Sequence, residues 1–321
     1  FLIFNPTAGR LSRSKGRLLQ ASIEALEAAG HRVNCVPTTG PGTASALAHE
    51  SIQNGADLVL VAGGDGTINE TINGMIGSAV PLAILPAGTA NVLAAELGMK
   101  LRADRAALKL HELVPVRVAV GLLHSLELAG NSERTGSRYF LLMAGVGLDA
   151  RIVYNLNLRM KASLGKLSYW LGGFSQIGQR LEEFDVHVKD RLIRCSFALI
   201  SRVRNYGGDL EIASNASLLK DDFETVLFQG ENTTQYLRYL AGVIAHSLDG
   251  MEGVSVLRAR KVELSPATEK NVYIQVDGEI AGRLPASVEI VPDALTLLVP
   301  REYVEQSASL RDDSSERLVR G

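Results

Sequence analysis

The run Ala62-Gly63-Gly64-Asp65-Gly66-Thr67-Ile68-Asn69-Glu70 follows the apolar stretch Leu58-Val59-Leu60-Val61 directly, and its residue types suit the handling of a nucleotide phosphate. Glycines let the main chain approach a ligand closely. A helix opening near Thr67 would offer unpaired N–H groups and the positive end of its dipole to an anion. Two other runs share this strand, turn, helix pattern. Asn5-Pro6-Thr7-Ala8-Gly9-Arg10 follows Phe1–Phe4, with Ser12 and Ser14 as candidate helix caps and Arg10, Arg13 and Lys15 available to a polyphosphate. Pro86-Ala87-Gly88-Thr89-Ala90-Asn91 follows Leu82–Leu85. One such turn alone is ordinary connection chemistry. Three of them, each just after a strand, would converge on the carboxyl edge where open α/β sheets bind ligands.

The familiar nucleotide fingerprints are missing. No Gly-Lys-Ser or Gly-Lys-Thr is present, which rules out a Walker-type loop. Gly145-Val-Gly-Leu-Asp-Ala150 matches the dinucleotide pattern formally, but no second strand ending in an acid follows it, so a Rossmann dehydrogenase is rejected. Asp277-Gly278, between Val272–Val276 and Glu279–Ala281, reads by itself as a hairpin turn. The histidines show no metal-ligand spacing. The stretch Tyr154–Leu181 mixes Arg159, Lys161 and Lys166 with Tyr169, Trp170 and Phe174. It suits a peripheral membrane contact, or equally a helix laid on a sheet.

These residues need elements to place them. From residue 1 to about 112 the pattern alternates strand and helix (Phe1–Phe4, Ser14–Ala29, His31–Val36, Thr43–Gln53, Leu58–Val61, Ile68–Ile76, Leu82–Leu85, Ala90–Leu97, Ala103–Leu110), which predicts a parallel sheet wrapped by helices. Beyond Val114 short strand-like segments dominate: Val116–Val120, Tyr139–Met143, Phe184–Val188, Ile193–Ile200, Thr225–Phe228, Val254–Leu257, Val272–Val276 and Val288–Ile290. They predict a β-sandwich carrying helices near Lys166–Leu181 and Thr234–Leu248. The expected division is therefore an α/β domain over 1–115 and a β-sandwich domain over 116–299, with 300–321 returning to the first domain or remaining a polar tail.

Composition narrows the partners. Lys and Arg total 33 against 35 Asp and Glu, so no global basic field points to nucleic acid. Cys35 and Cys195 lie in apolar, strand-like segments and suit buried free thiols in a reducing compartment, which gives a cytoplasmic expectation. No uncharged run reaches the roughly 20 residues needed to span a bilayer, and the opening Phe1-Leu2-Ile3-Phe4 lacks the basic region of a signal peptide. Exposed edges of a β-rich second domain leave pairing into a homodimer open.

Asn5-Pro-Thr-Ala-Gly9, Gly63-Gly-Asp-Gly-Thr-Ile-Asn-Glu70, Pro86-Ala-Gly-Thr-Ala-Asn91, Gly145 to Ala150, Asn205-Tyr-Gly-Gly208 and Val276-Asp-Gly-Glu279 occur in the order seen in the diacylglycerol kinase catalytic family, and the chain resembles it over nearly its whole length. The resemblance implies ATP in a cleft between an α/β domain and a β-sandwich domain, and a diacylglycerol-like lipid as acceptor. It further implies that Asn5, Pro6, Thr7, Ala8, Gly9, Thr38, Gly63, Gly64, Asp65, Gly66, Thr67, Ile68, Asn69, Glu70 and Thr89 line the ATP site, with Mg²⁺ on the transferred group. Asp277 and Glu279 become the catalytic candidates. Asp277 is preferred as the base, with Glu279 positioning it or adding to the metal field. A structural Mg²⁺ is implied near Leu219-Lys220-Asp221-Asp222-Phe223-Glu224, on Leu219, Asp222 and Glu224, although Phe223 stands where glycine is usual. The rival readings are an NAD kinase-like phosphotransferase on a soluble substrate and a nucleotide-binding regulator without turnover. Asn69-Glu70 and the late Asp277-Gly-Glu279 argue against the first, and the intact carboxylates against the second.

Overall fold

The computed structural model describes residues 1–126, 135–148, 150, 181–206 and 210–307. The helix expected over Lys166–Leu181 and the membrane contact expected over Tyr154–Leu181 therefore lie outside the described residues, except for Leu181 itself. Asp149, Gly207, Gly208 and the tail beyond Ser307 also lie outside them. The chain divides into two compact units, one of Phe1–Val120 with the segment from Pro292 onward, the other of Gly121–Val291.

The first unit runs β1 (Leu2–Phe4), α1 (Gly9–Arg13), α2 (Arg17–Ala28), β2 (Cys35–Pro37), α3 (Thr43–Gln53), β3 (Val59–Gly63), α4 (Asp65–Met75), β4 (Leu82–Pro86), α5 (Val92–Glu96) and α6 (Ala103–Leu108), and then enters β5 (Leu113–Leu126). β1 pairs in parallel with β2 on one side and β3 on the other, and β3 pairs in parallel with β4. The chain thus steps from β1 to one side and then crosses to the other. That reversal is the switch point where open sheets hold ligands. Every residue of β3 and β4 is buried, as strands covered on both faces require.

The helix expected over Ser14–Ala29 is two helices. Lys15 and Gly16 have φ of +50° and +82°, which a right-handed helix cannot continue. α2 then buries Leu18, Ser22 and Leu26, one stripe at a spacing of four. The strand expected to begin at His31 begins at Cys35, and Cys35 is exposed rather than buried because β2 is a short strand with a single partner in the sheet. Cys195 is buried, as expected, and both thiols are free.

The second unit is antiparallel. It contains β6 (Thr135–Phe140), β7 (Met143–Gly147), β8 (Phe184–Val188), β9 (Arg191–Cys195), β10 (Phe197–Ser201), β11 (Asn205–Tyr206), β12 (Leu210–Glu211), β13 (Phe223–Phe228), α7 (Thr233–Ile244), β14 (Val254–Ala259), β15 (Lys261–Pro266), β16 (Tyr273–Val276) and β17 (Glu279–Pro300). The main path is β14-β13-β10-β7-β16-β17, while β15 joins β17 to β8, and β8 pairs with β9. A sandwich-like core fills between these strands, from Phe140, Val146, Phe184, Val186, Ile200, Phe223, Val262 and Ile274. The rings of Phe140 and Phe223 stack at 5.9 Å. From Pro292 the residues of β17 belong to the first unit, where Leu297 pairs in parallel with Leu82 of β4. Arg117 secures that return: its guanidinium meets the Asp293 carboxylate at 2.7 Å and donates to the Ser78 carbonyl at 2.9 Å. Residues 301–307 are helical, and the Tyr303 hydroxyl lies 3.1 Å from Glu96 of α5.

Candidate active site

Three βα loops of the first unit are knitted together at the carboxyl ends of β1, β3 and β4. The Asn5 amide donates to the Ala62 carbonyl at 3.0 Å, and its side-chain Nδ2 reaches Thr67 Oγ1 at 3.4 Å, tying the first loop to the glycine turn. Arg10 N donates to the Ala87 carbonyl at 3.0 Å and Ala87 N to the Gly63 carbonyl at 3.1 Å, so the third loop touches both others. Gly88 is buried beside Gly64, and a Cβ added to Gly88 would lie 2.5 Å from the Gly64 Cα. Two main chains can approach this closely only without side chains between them. The Asp65 carboxylate accepts from Val92 N at 2.8 Å and so caps α5, a helix that begins across the loop cluster.

The structure sorts the residues nominated for the nucleotide by exposure. Pro6, Thr7 and Thr89 are exposed; Asn5, Gly9, Gly64, Asp65, Gly66, Thr67 and Glu70 are half-buried. Ala8, Gly63, Ile68 and Asn69 are buried, so any contact they make with a ligand passes through the main chain. Thr38 is 9% exposed, and its amide donates to the Phe4 carbonyl at 2.9 Å, which brings the end of β2 beside the end of β1. Glu70 has structural work of its own. Its two oxygens accept from Gly42 N at 2.7 Å and Ala44 N at 3.1 Å, closing the first turn of α3.

In the second unit Asp277 and Gly278 form the tip of the β16–β17 hairpin, with φ of +48° and +85°. Two successive positive φ values make the tight turn that twisted strands favour. The Asp277 carboxylate accepts three amides: Leu141 N on Oδ2, and Leu142 N and Met143 N on Oδ1, all at 3.0 Å. Asp277 N in turn donates to the Met143 carbonyl. Glu279 is different. Its side chain is 37% exposed, and its Oε2 accepts from Arg138 Nη2 at 2.5 Å. Arg138 lies 141 positions earlier in the chain, on β6, and sequence reasoning did not nominate it. No spacing signal could have revealed it, because the contact exists only through the sheet.

At Leu219, Asp222 and Glu224, where a structural Mg²⁺ was expected, the Asp222 carboxylate already has a protein partner. Phe223 is the first residue of β13 and is wholly buried against Phe140, so the chain is already a strand where an ion-binding turn was expected. Asp222 gives both carboxylate oxygens to Arg258, with Nε to Oδ2 at 2.8 Å. Among the described residues no group of three His, Cys, Asp or Glu side chains is placed to hold an ion.

An α/β unit with glycine-rich loops at its switch point, followed by a sandwich-like unit, defines a phosphotransferase with an alcohol acceptor once its relatives are considered. Residues 1–122 match the diacylglycerol kinase catalytic domain, and residues 143–299 match the YegS C-terminal NAD kinase beta sandwich-like domain. The chain belongs to the diacylglycerol kinase family. It is 26% identical to a diacylglycerol kinase of Bacillus subtilis over 310 residues, covering 95% of this chain and 97% of the relative. A diacylglycerol kinase of Mycobacterium tuberculosis is 28% identical over 306 residues, covering 92% and 94%. The fold is that of a diacylglycerol kinase crystal structure from Bacillus anthracis, with a TM-score of 0.73 at 21% identity, covering 94% of this chain and 96% of the other.

Proposed function

We propose that the chain transfers the γ-phosphoryl group of ATP to a hydroxyl of diacylglycerol or a related lipid. The observation that carries this reading is the interlocked set of loops after β1, β3 and β4, in which Gly64 and Gly88 nearly touch. That set fits a polyphosphate: the exposed hydroxyl of Thr89, the half-buried Thr67 and the opening turn of α4 present donors along one sheet edge, while the Thr7 hydroxyl and amide both donate to Asn5 Oδ1. Asn5 to Gly9, Thr38, Gly63 to Thr67 and Thr89 bind and orient the phosphates; Glu70 and Asp65 hold the helices in place. Bound with the nucleotide, Mg²⁺ spreads the charge that develops on the transferred group.

Of the two carboxylates, Glu279 is the proton acceptor. Asp277 spends its lone pairs on three amides, whereas Glu279 keeps an exposed face and is held by Arg138. This reverses the roles expected from sequence. Asp277 shapes the hairpin that presents Glu279 one residue beyond the turn, and Glu279 takes the proton of the acceptor hydroxyl as the phosphoryl group leaves ATP. Arg138 is a positioning residue. The basic, aromatic stretch Tyr154–Leu181 supports a membrane contact through which a lipid would arrive.

The test is radiolabelled ATP with a panel of lipids in detergent, and NAD as a soluble competitor acceptor. Labelled diacylglycerol is expected, and Glu279→Gln should remove the label without changing the unfolding midpoint. Labelled NAD with no labelled lipid would sink the reading.

A further inference from the structure

The turn between β12 and β13 is crowded with cations. Arg258, on β14, stands directly opposite Glu224 in the antiparallel register. Its guanidinium bridges two segments: Nε and Nη2 meet the two oxygens of Asp222, and Nη1 donates to the Asn215 carbonyl at 3.0 Å. Lys220 Nζ donates to that same carbonyl at 3.2 Å. Arg202, wholly buried, reaches in from the end of β10 and donates to the Leu218 carbonyl at 2.8 Å and the Lys220 carbonyl at 3.2 Å.

A hard divalent ion binds through about six oxygens of this type, carboxylates and main-chain carbonyls together. Here Asn215 O, Leu218 O, Lys220 O and both oxygens of Asp222 already accept from nitrogen. An incoming ion would also meet the positive charges of Arg258 and Lys220, which share one acceptor. One oxygen remains. Glu224 Oε2 is buried without a hydrogen-bond partner, and a single carboxylate oxygen does not hold such an ion.

We infer that Arg258 is a built-in cation at this turn, clamping Asn215 and Asp222 to β14 in place of the Mg²⁺ that the family resemblance implies. A planar guanidinium fork suits the task, since it can take a carboxylate with one edge and a carbonyl with the third nitrogen. The fold of this region is then independent of divalent metal.

The test uses the full chain after chelation, without nucleotide or lipid, so it stands whether or not the protein phosphorylates a lipid. Thermal unfolding is recorded in EDTA and in millimolar Mg²⁺, alongside Mn²⁺ titration followed by electron paramagnetic resonance. The midpoint should be the same in both solutions, with no tight Mn²⁺ site. Arg258→Gln should lower the midpoint by several degrees in each. A Mg²⁺-dependent rise that Asp222→Asn removes would overturn the inference, as would one tight Mn²⁺ per chain lost in that variant. These metal measurements on the unmodified chain decide the matter even if Arg258→Gln does not fold.

Discussion

At the scale of single residues, two carboxylates two positions apart have been given opposite work by their donors. Asp277 faces three main-chain amides, so Asp277→Ala leaves three buried N–H groups without an acceptor. Each orphaned donor costs about 1–3 kcal/mol, and the hairpin should lose stability accordingly in urea titration. Glu279 rests on one partly exposed ion pair, which contributes about 0–1 kcal/mol, so Glu279→Gln should leave stability nearly unchanged while activity falls on the order of 10²–10⁴-fold. A Glu279→Gln protein with full activity would move the base elsewhere. Glu224 makes a different prediction. Burial raises its pKa above the ordinary 4.5, so the folded state holds the proton more tightly than the unfolded chain does. Its stabilising share is complete below pH 4.5 and is lost as pH rises through the folded value. Glu224→Gln has no proton to lose, so its unfolding midpoint should gain on the parent protein as pH rises above 4.5, and match or trail it below. A difference that does not vary with pH would contradict this.

At the scale of elements, Glu70 belongs to α4 yet completes α3. With Gly42 as N-cap and no side-chain cap of its own, α3 leaves its first amides to the Glu70 carboxylate. Glu70→Ala should cost about 1–2 kcal/mol in chemical denaturation, through α3 rather than through nucleotide contact. Where α3 and α4 cross, Gly74 lies so close to Ser45 that a Cβ would sit 2.1 Å from the Ser45 carbonyl oxygen. Gly74→Ala should destabilise by about 1–3 kcal/mol despite the better helix propensity of alanine, because a main-chain atom cannot move aside as a side-chain tip can. These elements also show what a sequence reveals. α3 is legible over Thr43–Gln53 to the residue, because its period and flanking glycine are local. The glycine turns are legible for the same reason. The expected strand Ile193–Ile200 is two strands parted at Ser196, and β15 was not foreseen at all, since both depend on partners far along the chain. Phe223 was read as a turn residue because the motif there suggested a turn; only the stacked ring of Phe140 shows that it opens a strand. Arg138, Arg202 and Arg258 were illegible as site residues. Nothing in the type or spacing of an arginine announces which distant oxygen it will hold.

At the scale of the whole molecule, a formal charge of −2 conceals an uneven distribution. Residues 151–180 carry Arg151, Arg159, Lys161, Lys166 and Arg180 with no acid among them, beside Tyr154, Tyr169, Trp170 and Phe174, so the rest of the chain is distinctly negative. By charge alone, this stretch should favour an anionic surface more than the rest of the chain does. Each basic residue near such a surface contributes about 1 kcal/mol, and the aromatic rings suit the boundary between head groups and acyl chains. Substituting Arg159, Lys161 and Lys166 together by glutamine should therefore remove about 3 kcal/mol of attraction, on the order of a hundredfold in vesicle partitioning. Sedimentation with vesicles rich in an anionic phospholipid is the measurement. The unmodified chain should bind them more weakly as salt rises, since added ions shorten the reach of the cations to about 3 Å at molar salt. Vesicles of neutral lipid should show little difference between the two proteins. Equal sedimentation of the triple variant and the parent on the anionic vesicles would assign those cations to another role, and the proposed lipid acceptor would then need a route to the proposed base that owes nothing to charge.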